Sequence, residues 1–65
     1  MQITLNGQAL DTQQTTLEML LSEQGFADMN VATAVNQQFI AITERNNTTL
    51  QNGDHVEVVA PMQGG

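Results

Sequence analysis

The shortness of the chain is the feature that most restricts its fold. With 65 residues it can form one domain, and a domain of this size buries only ~60% of the surface that its unfolded chain exposes. A ligand pocket commonly takes ~300 to 1,000 Å³, which competes directly with so small a core. We therefore expect function at the surface, in a loop or at a terminus, and no enclosed active site.

The charge of the chain argues against nucleic acid as a partner. Seven acidic residues stand against Arg45 alone, and the formal net charge is -6. Such a surface repels phosphate backbones, and Phe26 and Phe39 are the only aromatic residues that could stack on bases. A partner protein with a basic face fits this balance, although solubility alone explains it equally well.

The sequence contains no cysteine and no apolar run of membrane-spanning length. The absence of cysteine excludes disulfides, thiolate metal sites and iron-sulfur ligation. His55 is the only histidine, and a lone imidazole is far more often solvated than a ligand or base. Met1 to Asn6 lacks the features of a signal peptide, and no apolar run could cross a bilayer. We expect a cytoplasmic protein without metal, bound cofactor or membrane contact.

The start of the chain predicts a β-hairpin. Apolar and polar residues alternate from Met1 to Leu5, as in a half-buried strand. Asn6-Gly7 tolerates positive φ at both central positions of a two-residue turn. Residues 8–11 should therefore return antiparallel, with Leu10 facing the core.

A helix is predicted from Thr16 to Gln24. Thr15 and Glu18 fit a Thr-x-x-Glu capping box at its start. Gly25 can take the left-handed conformation that ends a helix, and Phe26 can pack back on the helix. One face combines residues three or four apart: Leu17, Leu20, Leu21 and Gln24.

Three more strands are predicted, at Val31 to Val35, Phe39 to Ile42 and His55 to Val59. The second run has no alternation, so the faces of Phe39 and Ile40 stay open. Residues 43–49 are polar and predicted to be irregular, which makes Arg45 a loop charge. A turn at residues 52–54 precedes the last strand.

This order of elements predicts an α+β fold, a ubiquitin-like β-grasp with a mixed sheet of about five strands packed on one helix. Pro61 lacks the donor that a strand interior needs. We therefore expect the β-grasp domain at residues 1–60 and a flexible C-terminal tail at residues 61–65, ending in Gly64-Gly65. Such a tail reaches up to ~17 Å from the body.

Three stretches of the chain resemble the ThiS family of thiamine-biosynthesis sulfur carriers: Ala34-Val35-Asn36, Asn52-Gly53-Asp54-His55-Val56-Glu57 and Pro61-Met62-Gln63-Gly64-Gly65. The rest of the chain matches by the order of its elements. Relatives often carry Pro-Arg where this chain has Ala41-Ile42, and Arg45 could substitute for that basic side chain.

The resemblance implies a carrier protein that is not itself an enzyme. An E1-like adenylyltransferase would consume ATP to activate the Gly65 carboxylate. A persulfide derived from a cysteine desulfurase would then convert it to a thiocarboxylate, and thiazole synthase would receive the sulfur.

The chemistry of the C-terminus suits this role. A terminal carboxyl is ionised at neutral pH and resists sulfur nucleophiles, whereas joining it to AMP neutralises it and supplies a leaving group. Gly64 and Gly65 lack Cβ and can pass through a narrow channel. We expect Gln63 and Met62 to contact the partner with them.

The body of the domain should supply a docking surface. On the sheet face away from the helix, Val59, Ala32 and Ala34 could form a small apolar patch beside Glu57. Ordinary exposed sheet residues would explain the same pattern equally well.

Three alternative functions stay open. The small subunit of molybdopterin synthase shares the fold, the Gly-Gly end and the chemistry, although such chains are usually longer. A ubiquitin-like protein modifier would form isopeptide bonds, but ubiquitin carries arginines before its glycines and this chain does not. A β-grasp RNA-binding or regulatory module would use its sheet rather than its C-terminus, and the charge disfavours RNA.

Overall fold

The computed structural model describes residues 1–60 of the chain. The elements in chain order are β1 (Gln2–Leu5), β2 (Gln8–Asp11), α1 (Leu17–Glu23), β3 (Ala32–Val35), β4 (Gln38–Ile40), a 3₁₀ helix (Ile42–Asn47) and β5 (His55–Val59). The expected tail lies outside the described residues, so the division after residue 60 stays a prediction.

The five strands form one mixed sheet in the order β2-β1-β5-β3-β4. β1 and β5 run parallel, and the other neighbouring strands run antiparallel. Apolar side chains of α1 and of one sheet face meet in a single core, which contains Ile3, Leu17, Leu20, Leu21, Val31, Val35, Leu50, Val56 and Val58. The predicted β-grasp is confirmed.

The predicted first hairpin is confirmed. Asn6 and Gly7 have φ of 50° and 84°, the positive values that the two central residues of such a turn require. Leu5 pairs with Gln8 across the turn, and Leu10 packs against the core.

The helix starts one residue later than predicted. Thr16 is the N-cap and its hydroxyl accepts a hydrogen bond from Met19 N at 3.2 Å, so the predicted capping box of Thr15 with Glu18 is wrong. The reason is a long-range contact: Thr15 O accepts a hydrogen bond from Leu50 N at 2.8 Å. This contact holds Thr15 outside the helix.

The end of α1 follows the prediction for Gly25, whose φ is 88°. Phe26 N donates to Leu21 O at 2.8 Å and Gly25 N to Ser22 O at 3.2 Å, the two bonds of a Schellman motif. The helix ends at Glu23, and Gln24 is an exposed cap residue rather than part of the buried face.

Two predictions in the middle of the chain are wrong. β4 covers Gln38–Ile40 rather than residues 39–42, because a two-residue turn places Gln38 opposite Val35. The segment predicted to be irregular contains the 3₁₀ helix Ile42–Asn47, which contacts α1.

Candidate functional site

Val59 is the one predicted site residue that the structure describes. Gly65, Gly64, Gln63 and Met62 lie outside the described residues. Val59 ends β5 and is 61% exposed. Because Val56 and Val58 are buried in the core, alternation along the strand places Val59 on the sheet face opposite α1.

β5, the last strand of the described residues 1–60, lies in the centre of the sheet. It pairs in parallel with β1 and antiparallel with β3, where Ala32 lies opposite Val59. A central strand has hydrogen-bonding neighbours on both sides, unlike an edge strand. The strand that precedes residue 60 is therefore held on both sides.

Two turn asparagines bind the ends of β5 through their side chains. Asn36 Oδ1 accepts a hydrogen bond from His55 N at 2.9 Å, and Asn36 Nδ2 donates to Asp54 Oδ1 at 3.0 Å. Asn6 Oδ1 accepts from Val58 N at 2.8 Å, and Asn6 Nδ2 donates to Val58 O at 3.1 Å. The sequence identifies Asn6 only as a turn residue and Asn36 only as a polar residue between two strands, since a side chain that reaches another strand leaves no local signal.

The face opposite α1 carries an apolar surface, here called the outer patch: Ala32, Ala34, Phe39 and Val59. In the sheet register, Ala32 lies opposite Val59 and Ala34 opposite Phe39. Phe39 is 72% exposed, whereas Ile40 packs against the core. The register confirms that Val59, Ala32 and Ala34 lie side by side, as predicted, while their role in docking stays a prediction. Phe39 also belongs to the outer patch. The sequence did not indicate its face, because the apolar run around it does not alternate.

Polar groups border the outer patch on one side. Glu57 is exposed and lies opposite Ala34. A shallow groove continues from Glu57 along His55 to Thr4 and Gln37, and His55 is exposed, as predicted. An apolar patch with an acidic border is suited to a protein partner that has complementary apolar and basic groups.

The described residues show neither a metal site nor a membrane span. Across residues 1–60, no three His, Asp or Glu side chains are grouped closely enough to hold a metal ion. In the same part of the chain, no helix has the length and apolar character needed to cross a bilayer.

Arg45 is not the loop charge that the sequence predicts. It lies in the 3₁₀ helix and is 7% exposed. Its Nε donates to Thr33 Oγ1 at 3.0 Å, and a terminal nitrogen donates to Val31 O at 2.6 Å. A buried guanidinium cannot substitute for a partner-binding arginine at the surface, so that expectation is wrong. Because Arg45 is the chain's only Lys or Arg, the surface charge is predominantly acidic.

Comparison with known proteins decides the family. The model of the ThiS family matches residues 2–65. The chain belongs to the ThiS family. A ThiS relative from Thermus thermophilus, a sulfur carrier protein, is 38% identical over 63 residues, which cover 97% of this chain and 98% of the relative. The resemblance to thiamine-biosynthesis sulfur carriers is thereby confirmed.

Solved ThiS structures have the same fold. The crystal structure of a thiamine biosynthesis protein, ThiS, from Geobacter metallireducens is 28% identical, with a TM-score of 0.86 and full coverage of both chains. A solution structure of a thiamine biosynthesis protein from the same organism has a TM-score of 0.79 and 29% identity, covering 100% of this chain and 88% of its own.

Proposed function

We propose that this ThiS-family chain carries sulfur for thiamine biosynthesis as a thiocarboxylate on Gly65. The observation that carries the proposal is the extent of the family match, which runs to residue 65 and so includes Gly64-Gly65. The position of β5 adds support, because the strand that precedes these residues is central and held on both sides.

The reaction has three stages. An E1-like adenylyltransferase joins the Gly65 carboxylate to the α-phosphorus of ATP and releases pyrophosphate. The terminal sulfur of a cysteine-desulfurase-derived persulfide attacks the acyl carbon, AMP leaves, and a thiol cleaves the resulting acyl disulfide to give the thiocarboxylate. Thiazole synthase then accepts the sulfur, and an oxygen from the sulfur-accepting substrate or from water replaces it on the acyl carbon, which regenerates the carboxylate. This chain acts as a co-substrate, while its partners supply nucleotide binding and acid-base groups.

The partners dock on the outer patch in this proposal. Val59 and Phe39 supply exposed apolar area, and Glu57 supplies an acidic group at its border. Gly64, Gln63 and Met62 enter the partner's active site, where glycines allow a close approach. Since ordering a chain segment costs ~1 to 2 kcal/mol per residue, the folded body must provide most of the affinity.

A genetic experiment tests the pathway. A strain that lacks this chain should require thiamine for growth, the intact gene should restore growth without it, and a gene without the Gly65 codon should not. A molybdenum-cofactor defect in place of the thiamine requirement would contradict the proposal and favour the molybdopterin synthase alternative.

A further inference from the structure

Asn6 supplies a hydrogen-bonding neighbour to β5 where β1 has ended. β1 ends at Leu5, and the chain turns away at Asn6-Gly7. β5 continues to Val59, so its backbone on that side needs other partners beyond the end of β1. Asn6 N donates to Val56 O at 2.9 Å, and the Asn6 side chain then reaches Val58.

The side-chain amide of Asn6 provides what another strand residue would provide. Its oxygen accepts from Val58 N at 2.8 Å, and its nitrogen donates to Val58 O at 3.1 Å. Val58 is 7% exposed, and buried backbone groups need partners. The amide thus extends sheet pairing to Val58, which immediately precedes the outer-patch residue Val59.

The opposite side of the strand end is held by β3, where Ala32 pairs with Val59. The last part of β5 is consequently fixed between a side chain and a strand. Loss of the Asn6 amide would leave Val58 N and O unpaired and the end of β5 held from the β3 side alone.

We propose that Asn6 is a positioning residue for sulfur transfer, because it fixes the end of β5, from which the chain continues in sequence to Gly65. The inference rests on the proposed function. A partner that docks on the outer patch meets the start of the C-terminal segment at a fixed place only if the end of β5 stays held between Asn6 and β3. Small misplacements of reacting groups by distant substitutions can cost ~100-fold in rate.

Asn36 offers a matched control at the other end of the same strand. It has φ of 51°, against 50° for Asn6, and its side chain also binds β5 backbone, at His55 N. Asn6→Gly and Asn36→Gly each keep a residue that tolerates positive φ and each delete one anchoring amide. The two variants differ in which end of β5 they release.

The experiment compares the two variants in stability, amide hydrogen exchange and thiocarboxylation by the activating enzyme with ATP and a persulfide donor. We expect similar urea midpoints. The rate of amide hydrogen exchange at Val58 should rise about tenfold in Asn6→Gly. The rate at His55 should rise in the same way in Asn36→Gly. The thiocarboxylation rate should fall about tenfold in Asn6→Gly, mainly in kcat, and less than twofold in Asn36→Gly.

Failure of this inference is distinguishable from failure of the proposed function. Equal kinetic losses in the two variants, with sulfur still loaded on the wild-type chain, would overturn the role of Asn6 alone. A wild-type chain that acquires no sulfur would overturn the proposed function. If Asn6→Gly does not fold, Asn6→Asp takes its place against Asn36→Gly, since it keeps the acceptor oxygen for Val58 N and removes the donor to Val58 O.

Discussion

Arg45 is the residue whose environment departs most from expectation for its type. Its guanidinium is buried, and within residues 1–60 no carboxylate lies within ion-pair distance of it. The charge is accommodated by hydrogen bonds to Thr33 Oγ1 and Val31 O, and Thr33 Oγ1 in turn donates to Ile40 O at 2.9 Å. Arg45 thus connects the 3₁₀ helix to both β3 and β4.

Removal of this connection should destabilise the fold. We expect Arg45→Ala to lower the free energy of unfolding by about 3 kcal/mol, because buried acceptors lose their donor and the side chain loses its packing. Arg45→Lys should recover less than half of the loss, since an ammonium lacks the planar fork. Urea unfolding measures both variants, with exposed Asn46→Ala as the control. An Arg45→Ala variant as stable as the wild type would contradict the structural role.

Glu23 provides a pH-dependent contribution to stability. Hydrogen bonds from Gln14 Nε2 at 3.1 Å and from Thr12 Oγ1 at 2.9 Å lower the pKa of its carboxyl in the folded state, with Gln14 the larger cause. A lowered carboxyl pKa stabilises the fold above the ordinary glutamate pKa of ~4.3, and the contribution is lost as the pH falls through the lower folded value.

Substitution of Glu23 should expose this dependence. We expect Glu23→Gln to be less stable than the wild type at about pH 7 and the difference to shrink by about pH 3, measured as urea midpoints. Gln14→Ala keeps the carboxylate but removes its main donor, so it should reduce the same pH dependence in part. If the urea midpoints of Glu23→Gln and the wild type differed by the same amount at both pH values, the pH-dependent contribution of the Glu23 carboxylate would be contradicted.

At the scale of elements, the turns of the two hairpins differ in backbone strain. The first turn is Asn6-Gly7, and the second is Asn36-Gln37, in which Gln37 has φ of 69°. The left-handed region costs a residue with Cβ roughly 1 to 2 kcal/mol. The turn between β3 and β4 therefore holds strain that the first turn avoids.

Relief of this strain should stabilise the protein. We expect Gln37→Gly to raise the free energy of unfolding by about 1 kcal/mol, because glycine adopts positive φ without a steric penalty. Gln38→Gly, at the next position in β4, is the control and should lower stability by about 0.5 to 1 kcal/mol. Thermal or urea unfolding measures the stability of both variants. A Gln37→Gly variant less stable than the wild type would contradict the claim that the backbone at Gln37 is strained.

The same elements show which features the sequence could predict. Asn6-Gly7 and Gly25 are local signals, and both turns form where these residues stand. The start of α1 and the environment of Arg45 depend on residues distant in sequence, Leu50 for the first and Val31 with Thr33 for the second. No local pattern encodes such contacts, and the predictions of the capping box and of the loop charge are therefore wrong.

The candidate site follows the same division between local and distant signals. Alternation along β5 predicted that Val59 would be exposed beside Ala32 and Ala34, and the strand register confirms it. The sequence does not indicate which sheet face Phe39 lies on, because the apolar run around it does not alternate. The anchoring role of the Asn6 side chain depends on a contact 52 residues away in sequence, which turn propensity cannot indicate.

At the scale of the whole molecule, the two sheet faces differ in what covers them. One face packs against α1 and provides stability, while the other presents the outer patch with Glu57 at its border. The only Arg or Lys is buried, and seven acidic residues remain. We infer that a partner approaches the outer face with basic and apolar groups.

A charge placed in the outer patch should weaken that approach. We expect Val59→Asp to remain folded, because the side chain is exposed, and to lower kcat/KM for thiocarboxylation by about tenfold or more, chiefly through KM. Ile42→Asp is the matched control, since Ile42 is 66% exposed but lies in the 3₁₀ helix that contacts α1. If Val59→Asp and Ile42→Asp both kept the wild-type kcat/KM for thiocarboxylation, the outer patch would not be the docking surface.

The most direct test of sulfur carriage is the mass of the protein itself. The chain is incubated with its activating enzyme, ATP and a persulfide donor, and the intact protein and its C-terminal fragment are then weighed. We predict the exchange of one oxygen for one sulfur, confined to Gly65 and absent when ATP is omitted or Gly65 is deleted. An unchanged mass under conditions that load another ThiS-family protein, or sulfur located elsewhere in the chain, would contradict the account.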